Sequence, residues 1–167
     1  MIKKIFITIL LSITLISNSY SAGSSSSGGE GDGPKTKTNY EKAVKLIKSA
    51  NKYEKKGKKD KAQSSYEKAL KLLLKSNNKK PNKPDTLNYL GFTSRKLGDF
   101  ENGEKYYLQG LAINPYHIGI NEYLGELYVA TNRHNLAVER LEVLKGCDCK
   151  EYDDLKAIIA GEKISKY

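Results

Sequence analysis

Tryptophan is absent from this 167-residue chain, methionine occurs once, and there are only two cysteines, two histidines, three arginines and four prolines. Two cysteines cannot build a disulfide framework. Two histidines without a His/Cys/Asp cluster around them argue against zinc-finger, haem and iron–sulfur centres, so neither a metal site nor a cofactor is expected. The shortage of arginine is equally informative. Lysine carries nearly all the positive charge, whereas arginine is the residue that reads phosphates and base edges bidentately, so a formal charge of +10 does not by itself point to nucleic acid. Long hydrophobic runs are missing too. The one sustained apolar stretch, Ile5–Ile16, is about a dozen residues, short of the roughly 20 that a spanning helix needs.

That stretch follows the basic residues Lys3 and Lys4 and precedes Ser17, Asn18, Ser19, Ser21 and Ala22. A basic start, a short apolar core and a small-residue exit are the three parts of a secretory signal peptide, here residues 1–21, with cleavage expected after Ser21 or Ser19. No cysteine stands near the cut, which excludes lipid attachment there. The expected location is a bacterial periplasm, with secretion as the other outcome of export. Residues 22–38, AGSSSSGGEGDGPKTKT, have no apolar periodicity and read as a disordered Ser/Gly linker.

The rest of the chain repeats itself. Aligning Gly57, Gly98 and Asn132 places Ala50, Gly91 and Gly125 in one column, Ala62, Gly103 and Ala137 in another, and Tyr66, Tyr107 and Leu141 in a third. The last two units are offset by 34 residues, and the longer first offset is absorbed by the polar, proline-containing Ser76–Lys83, which reads as a loop. Small residues at Gly91, Gly103 and Gly110 allow two helices to approach closely, Tyr107 fills the space between neighbouring pairs, and Pro115 stops a helix. Asp85 suits an N-cap.

The middle unit, with Leu87, Leu90-Gly91, Gly98-Asp99-Phe100, Tyr107, Gly110 and Pro115, resembles the tetratricopeptide repeat. The third unit keeps Leu124-Gly125, Tyr128, Asn132 and Ala137; the first keeps Ala50, Tyr53, Gly57, Ala62, Tyr66 and Ala69. The residues around Asn121–Tyr128 and Cys147–Tyr152 are similar to those of small exported bacterial proteins of this family. The expected fold is an all-α helix-turn-helix solenoid over residues 39–167. Its three units span about 43–76, 84–117 and 118–151, and a capping helix over 150–166 presents Leu155, Ile158, Ile159 and Ile164 to the last pair.

The resemblance implies that the first helix of each unit lines a concave groove. It places there Val44, Ile47, Asn51, Glu54 and Lys55, then Asp85, Asn88, Phe92, Arg95 and Lys96, then Gly119, Glu122, Glu126, Val129 and Ala130. Asn51, Asn88, Phe92, Arg95, Lys96, Glu122, Glu126 and Val129 are the candidate partner-binding residues. The family's carboxylate clamp, which grips C-terminal peptides of chaperones, uses Lys and Asn in the first unit, Asn in the second, and Lys and Arg in the third. Here only Asn51 matches, with Ile47, Tyr89, Gly119 and Tyr123 at the other positions, so that activity is not implied.

No catalytic constellation is visible, and neither His117 nor His134 has partners spaced for catalysis; a capping or solvated role fits them better. The reading is therefore a non-enzymatic adaptor for an unidentified protein or peptide. Two other readings stay open. Cys147-Asp148-Cys149 suits a structural disulfide, a bond to a partner or a second subunit, or a thiol-redox or soft-metal role. Between Lys35 and Lys83, 17 lysines face four acidic residues, a balance of +13, whereas Pro84–Tyr167 has a balance of −3. A Lys-rich first unit of that kind suits an anionic envelope surface or another anionic partner, and equally suits nothing beyond a lysine-rich codon bias.

Overall fold

The computed structural model describes residues 37–165, so the proposed signal peptide and all but the last two residues of the proposed linker lie outside the described residues. Among the described residues seven helices run in chain order: α1 Asn39–Lys55, α2 Lys59–Lys79, α3 Pro84–Lys96, α4 Phe100–Ile113, α5 Ile118–Ala130, α6 His134–Leu144 and α7 Lys150–Ile159. They pack as the antiparallel pairs α1/α2, α3/α4 and α5/α6. Each pair stacks on the next through α2/α3 and α4/α5, and α7 closes against α5 and α6.

One turn is used three times. Gly57, Gly98 and Asn132 all take left-handed backbone conformations, with φ of 68°, 85° and 59°. After each of them the next amide reaches back five residues, from Lys58 to Tyr53, Asp99 to Ser94 and Arg133 to Tyr128, at 2.9, 2.9 and 2.7 Å. This is the Schellman closure, which satisfies a carbonyl that the helix end would leave orphaned. The same closure ends α7, where Gly161 has φ 74° and the Glu162 amide bonds to the Ala157 carbonyl at 2.9 Å. The last helix therefore finishes as the first helix of a fourth pair would.

The small-residue columns serve close approach. A Cβ built on Gly91 would stand 2.5 Å from the Tyr107 ring, and one on Gly125 would stand 2.6 Å from Leu155 of α7. Tyr66, Tyr107, Leu124 and Leu155 are all buried at 1% exposure or less, so the aromatic column and the cap share one continuous packing scheme.

Four expectations need correction. α2 does not stop at Ser76: it continues to Lys79, and the connection is only Lys80–Lys83. Ser76 and Asn77 are half-buried, and the helix breaks where Pro81 cannot donate a backbone hydrogen bond. Asp85 is not the N-cap of α3; that position is Lys83, with Pro84 opening the helix. Asp85 instead accepts a bond from His117 Nε2 at 3.1 Å, while His117 Nδ1 caps α5 by accepting from the Ile120 amide. The capping helix ends at Ile159 rather than 166, and Ile164 lies 89% exposed. Finally, Thr38, assigned to the linker, forms a capping box with Glu41 and starts α1.

Candidate functional site

α1, α3 and α5 run side by side, and the residues assigned to the groove line up along them. Most of these residues are packed rather than open. Phe92 is 6% exposed and wedged between Tyr66 and Tyr123, with ring centroids 6.2 and 5.2 Å away. Arg95 is 2% exposed, donates to the backbone carbonyl of Tyr123 on α5, and lies 3.7 Å from the Glu126 carboxylate. Glu126 is itself fully buried and accepts from Ser165 Oγ at 3.1 Å. Asn88 and Glu122 are buried as well, and Val129 is half-buried against the second core cluster. Of the groove candidates, Asn88, Phe92, Arg95, Glu122 and Glu126 are thus buried in the stack. They join α3 to α5 because a tightly wound stack gives the face of one first helix to the next.

Asn51 and Lys96 come together through two residues outside the candidate set. The Tyr66 hydroxyl lies 2.5 Å from Asn51 Oδ1 and 3.0 Å from Glu54 Oε2, sharing one proton between two acceptors. Lys96 Nζ is 2.8 Å from the same Glu54 oxygen and 5.6 Å above the Tyr66 ring. Burial, followed by the Glu54 charge, raises the Tyr66 phenol and keeps it a neutral donor. This network bolts the end of α1 to the end of α3.

Beside exposed Glu54, Lys55 and Asp85, the face carries half-buried aromatic side chains. Tyr89 and Tyr123 stand at positions where the family's clamp carries polar or charged groups, and both are half-buried. Tyr40, at the start of α1, meets Tyr89 edge to face with ring centroids 5.8 Å apart. Burial and then the nearby Asp85 and Tyr89 push the Tyr40 phenol up to about 12, while burial, Glu122 and Glu126 raise that of Tyr123. Tyr40, Tyr89, Phe92 and Tyr123 thus form a row of rings across α1, α3 and α5, whose phenols burial keeps neutral. Tyr40 and Glu54 were not among the candidate site residues. Tyr40 precedes the aligned repeat unit, and its signal would have been the continuation of α1 by one turn behind the Thr38 cap.

Cys147 and Cys149 are joined in a disulfide with Cα atoms 5.1 Å apart, and Cys149 is the N-cap residue of α7. The pair therefore sits at the start of the capping helix.

The family model described as tetratricopeptide repeat matches residues 46–72 and 85–117. No curated protein matches the sequence. Among solved structures, the first tetratricopeptide domain of Spaghetti (RPAP3), bound to an HSP90 peptide SRMEEVD, is 21% identical with a TM-score of 0.53, covering 75% of this chain and 95% of that one. The first such domain of human RPAP3 is 21% identical with a TM-score of 0.54, covering 72% and 91%. The second domain of human RPAP3, in complex with the HSP70 peptide SGPTIEEVD, is 17% identical with a TM-score of 0.51, covering 73% and 98%.

Proposed function

We propose that this chain is a tetratricopeptide-repeat protein, an exported, non-catalytic scaffold that holds an extended segment of a partner protein along its concave face. The observation that carries this reading is the row of half-buried rings, Tyr40, Tyr89 and Tyr123, laid over buried Phe92. Aromatic side chains with polar tips give large contact area at small cost in conformational entropy, which is why such residues dominate binding surfaces. Two of the similar RPAP3 domains are bound to HSP90 and HSP70 peptides, and the shared fold supports a peptide ligand here.

The ligand chemistry should differ from theirs. Ile47 is 3% exposed, Asn51 is engaged by Tyr66, and Tyr89, Gly119 and Tyr123 occupy the remaining clamp positions, so no cationic pair waits for a terminal carboxylate. An internal segment bearing aromatic or aliphatic side chains suits the row instead. The proposed signal peptide, residues 1–21, puts the scaffold and its partner in the periplasm.

The test is retention of a partner from an envelope extract by the full chain and by Tyr40→Ala/Tyr89→Ala, two half-buried positions outside the core. Capture of a discrete protein by the parent and its loss in the variant is the expected result. Equal capture by both would refute the aromatic row as the binding site. Mass spectrometry of the exported protein should find its N-terminus at Tyr20 or Ala22; an uncut chain in the cytoplasm would refute the export reading.

A further inference from the structure

A lysine-lined cleft lies at the N-terminal end of the stack and shares Tyr40 with the aromatic row. The start of α1, the end of α2 and the start of α3 enclose an open cleft of about 630 Å³. Among the described residues, Lys37, Lys79, Lys80 and Lys83 line it with Asp85 as the one carboxylate, and Thr38, Asn39, Tyr40, Ser76 and Thr86 make up the rest of the wall. Asp85 accepts a hydrogen bond from the His117 imidazole, and four lysines against this single carboxylate leave the described lining with a net positive charge. The first-turn amides of α3 also open at this end, where Lys83 supplies no side-chain cap.

The backbone fixes where two of these flexible side chains start. Lys80 and Lys83 flank Pro81 and Asn82, the latter in a left-handed conformation at φ 59°, and Pro84 follows directly. Two prolines and one fixed turn residue restrict this four-residue connection in the unbound chain, which lowers the cost of presenting both amines to a ligand.

We propose that this cleft binds an acidic polypeptide segment, a run of aspartate or glutamate side chains on a partner protein. Its lining discriminates among anions. None of the described exposed large apolar side chains borders it, so it has nothing to insert into a bilayer. No arginine lines it, and Tyr40 is packed edge-on against Tyr89, which leaves neither bidentate phosphate recognition nor a free stacking platform for nucleic acid. Flexible point charges beside hydroxyl groups, in a recess of peptide size, match several carboxylates spaced along a chain.

The experiment is a fluorescence-anisotropy titration of the full chain with a labelled hexaglutamate peptide, repeated with vesicles of phosphatidylglycerol in phosphatidylcholine. The cleft variant is Lys37→Ala/Lys80→Ala/Lys83→Ala, three residues outside the helices. The control is Lys42→Ala/Lys45→Ala/Lys48→Ala, which removes the same charge from the exposed side of α1. The expected result is salt-sensitive peptide binding that is about tenfold weaker in the cleft variant, equivalent to about 1.4 kcal/mol, and unchanged in the control. Tyr40→Ala/Tyr89→Ala is not used here because Tyr40 borders both sites; Tyr123→Ala, at the far end of the row, should leave peptide binding intact. Equal weakening in both triple variants would reduce the cleft to diffuse charge and overturn the proposal. Absence of peptide binding, or cleft-dependent binding of vesicles alone, would overturn it as well.

Discussion

Leu155→Ala should destabilise the stack from its C-terminal end. Leu155 is fully buried, and its side chain occupies the space left by the missing side chain of Gly125, where a Cβ would come within 2.6 Å. Truncating a buried leucine costs the lost transfer energy plus a cavity, about 2–5 kcal/mol. The low end, roughly 2–3 kcal/mol, applies here because α7 packs on α5 and α6 alone and can settle into the gap. For a domain of this size that corresponds to a fall in Tm of roughly 6–10 °C. Removing residues 150–167 would go further. It forfeits the burial of Leu155 and Ile158, about 3–6 kcal/mol together, and uncovers Leu144, against a total stability of roughly 5–15 kcal/mol for an ordinary domain. Circular-dichroism melts of the parent, Leu155→Ala, the truncation and Ile164→Ala check the reasoning, the last being a control at an 89% exposed position. Hydrogen exchange should show α7 losing protection first, since stacked repeats couple only to their neighbours. A Leu155→Ala melt within about 2 °C of the parent, or a truncated chain that still melts cooperatively at the parental temperature, would refute the cap.

Gly91→Ala should cost about 1–3 kcal/mol by overpacking, because the new methyl would meet the fully buried Tyr107 ring at 2.5 Å; a denaturant melt measures it. Tyr40, with its phenol raised from 10.0 to about 12, and Tyr66, Tyr89, Tyr107, Tyr123 and Tyr128, all raised chiefly by burial, should make stability fall as pH climbs above 10, because the unfolded phenols ionise first. Tyrosine absorbance should then report them ionising together with unfolding, and independent titration in a chain still folded would contradict this. Reducing the Cys147–Cys149 bond, which closes a loop of sequence separation 2, should lower stability by no more than about 2 kcal/mol and leave α1–α4 intact by hydrogen exchange.

The sequence by itself determined the features that local geometry dictates. Gly57, Gly98 and Asn132 could be aligned because a Schellman turn needs a residue that tolerates positive φ, and all three adopt it. Gly91, Gly103 and Gly110 marked the close helix contacts because a Cβ has no room there, and the capping role fits His117 because one short side chain suffices for it. The tertiary structure alone decided which groove positions are groove. The repeat alignment places Arg95 and Glu126 in the groove, and only the winding of α3 onto α5 buries them against each other, with Arg95 donating to the Tyr123 carbonyl. The same holds for α2, which runs through polar Ser76–Asn78 because packing overrides local preference until Pro81 removes a donor. It holds for the lysine cleft too. Lys37 lies more than forty residues from Lys79, Lys80 and Lys83, and nothing short of the stacking of α1, α2 and α3 puts all four around one recess.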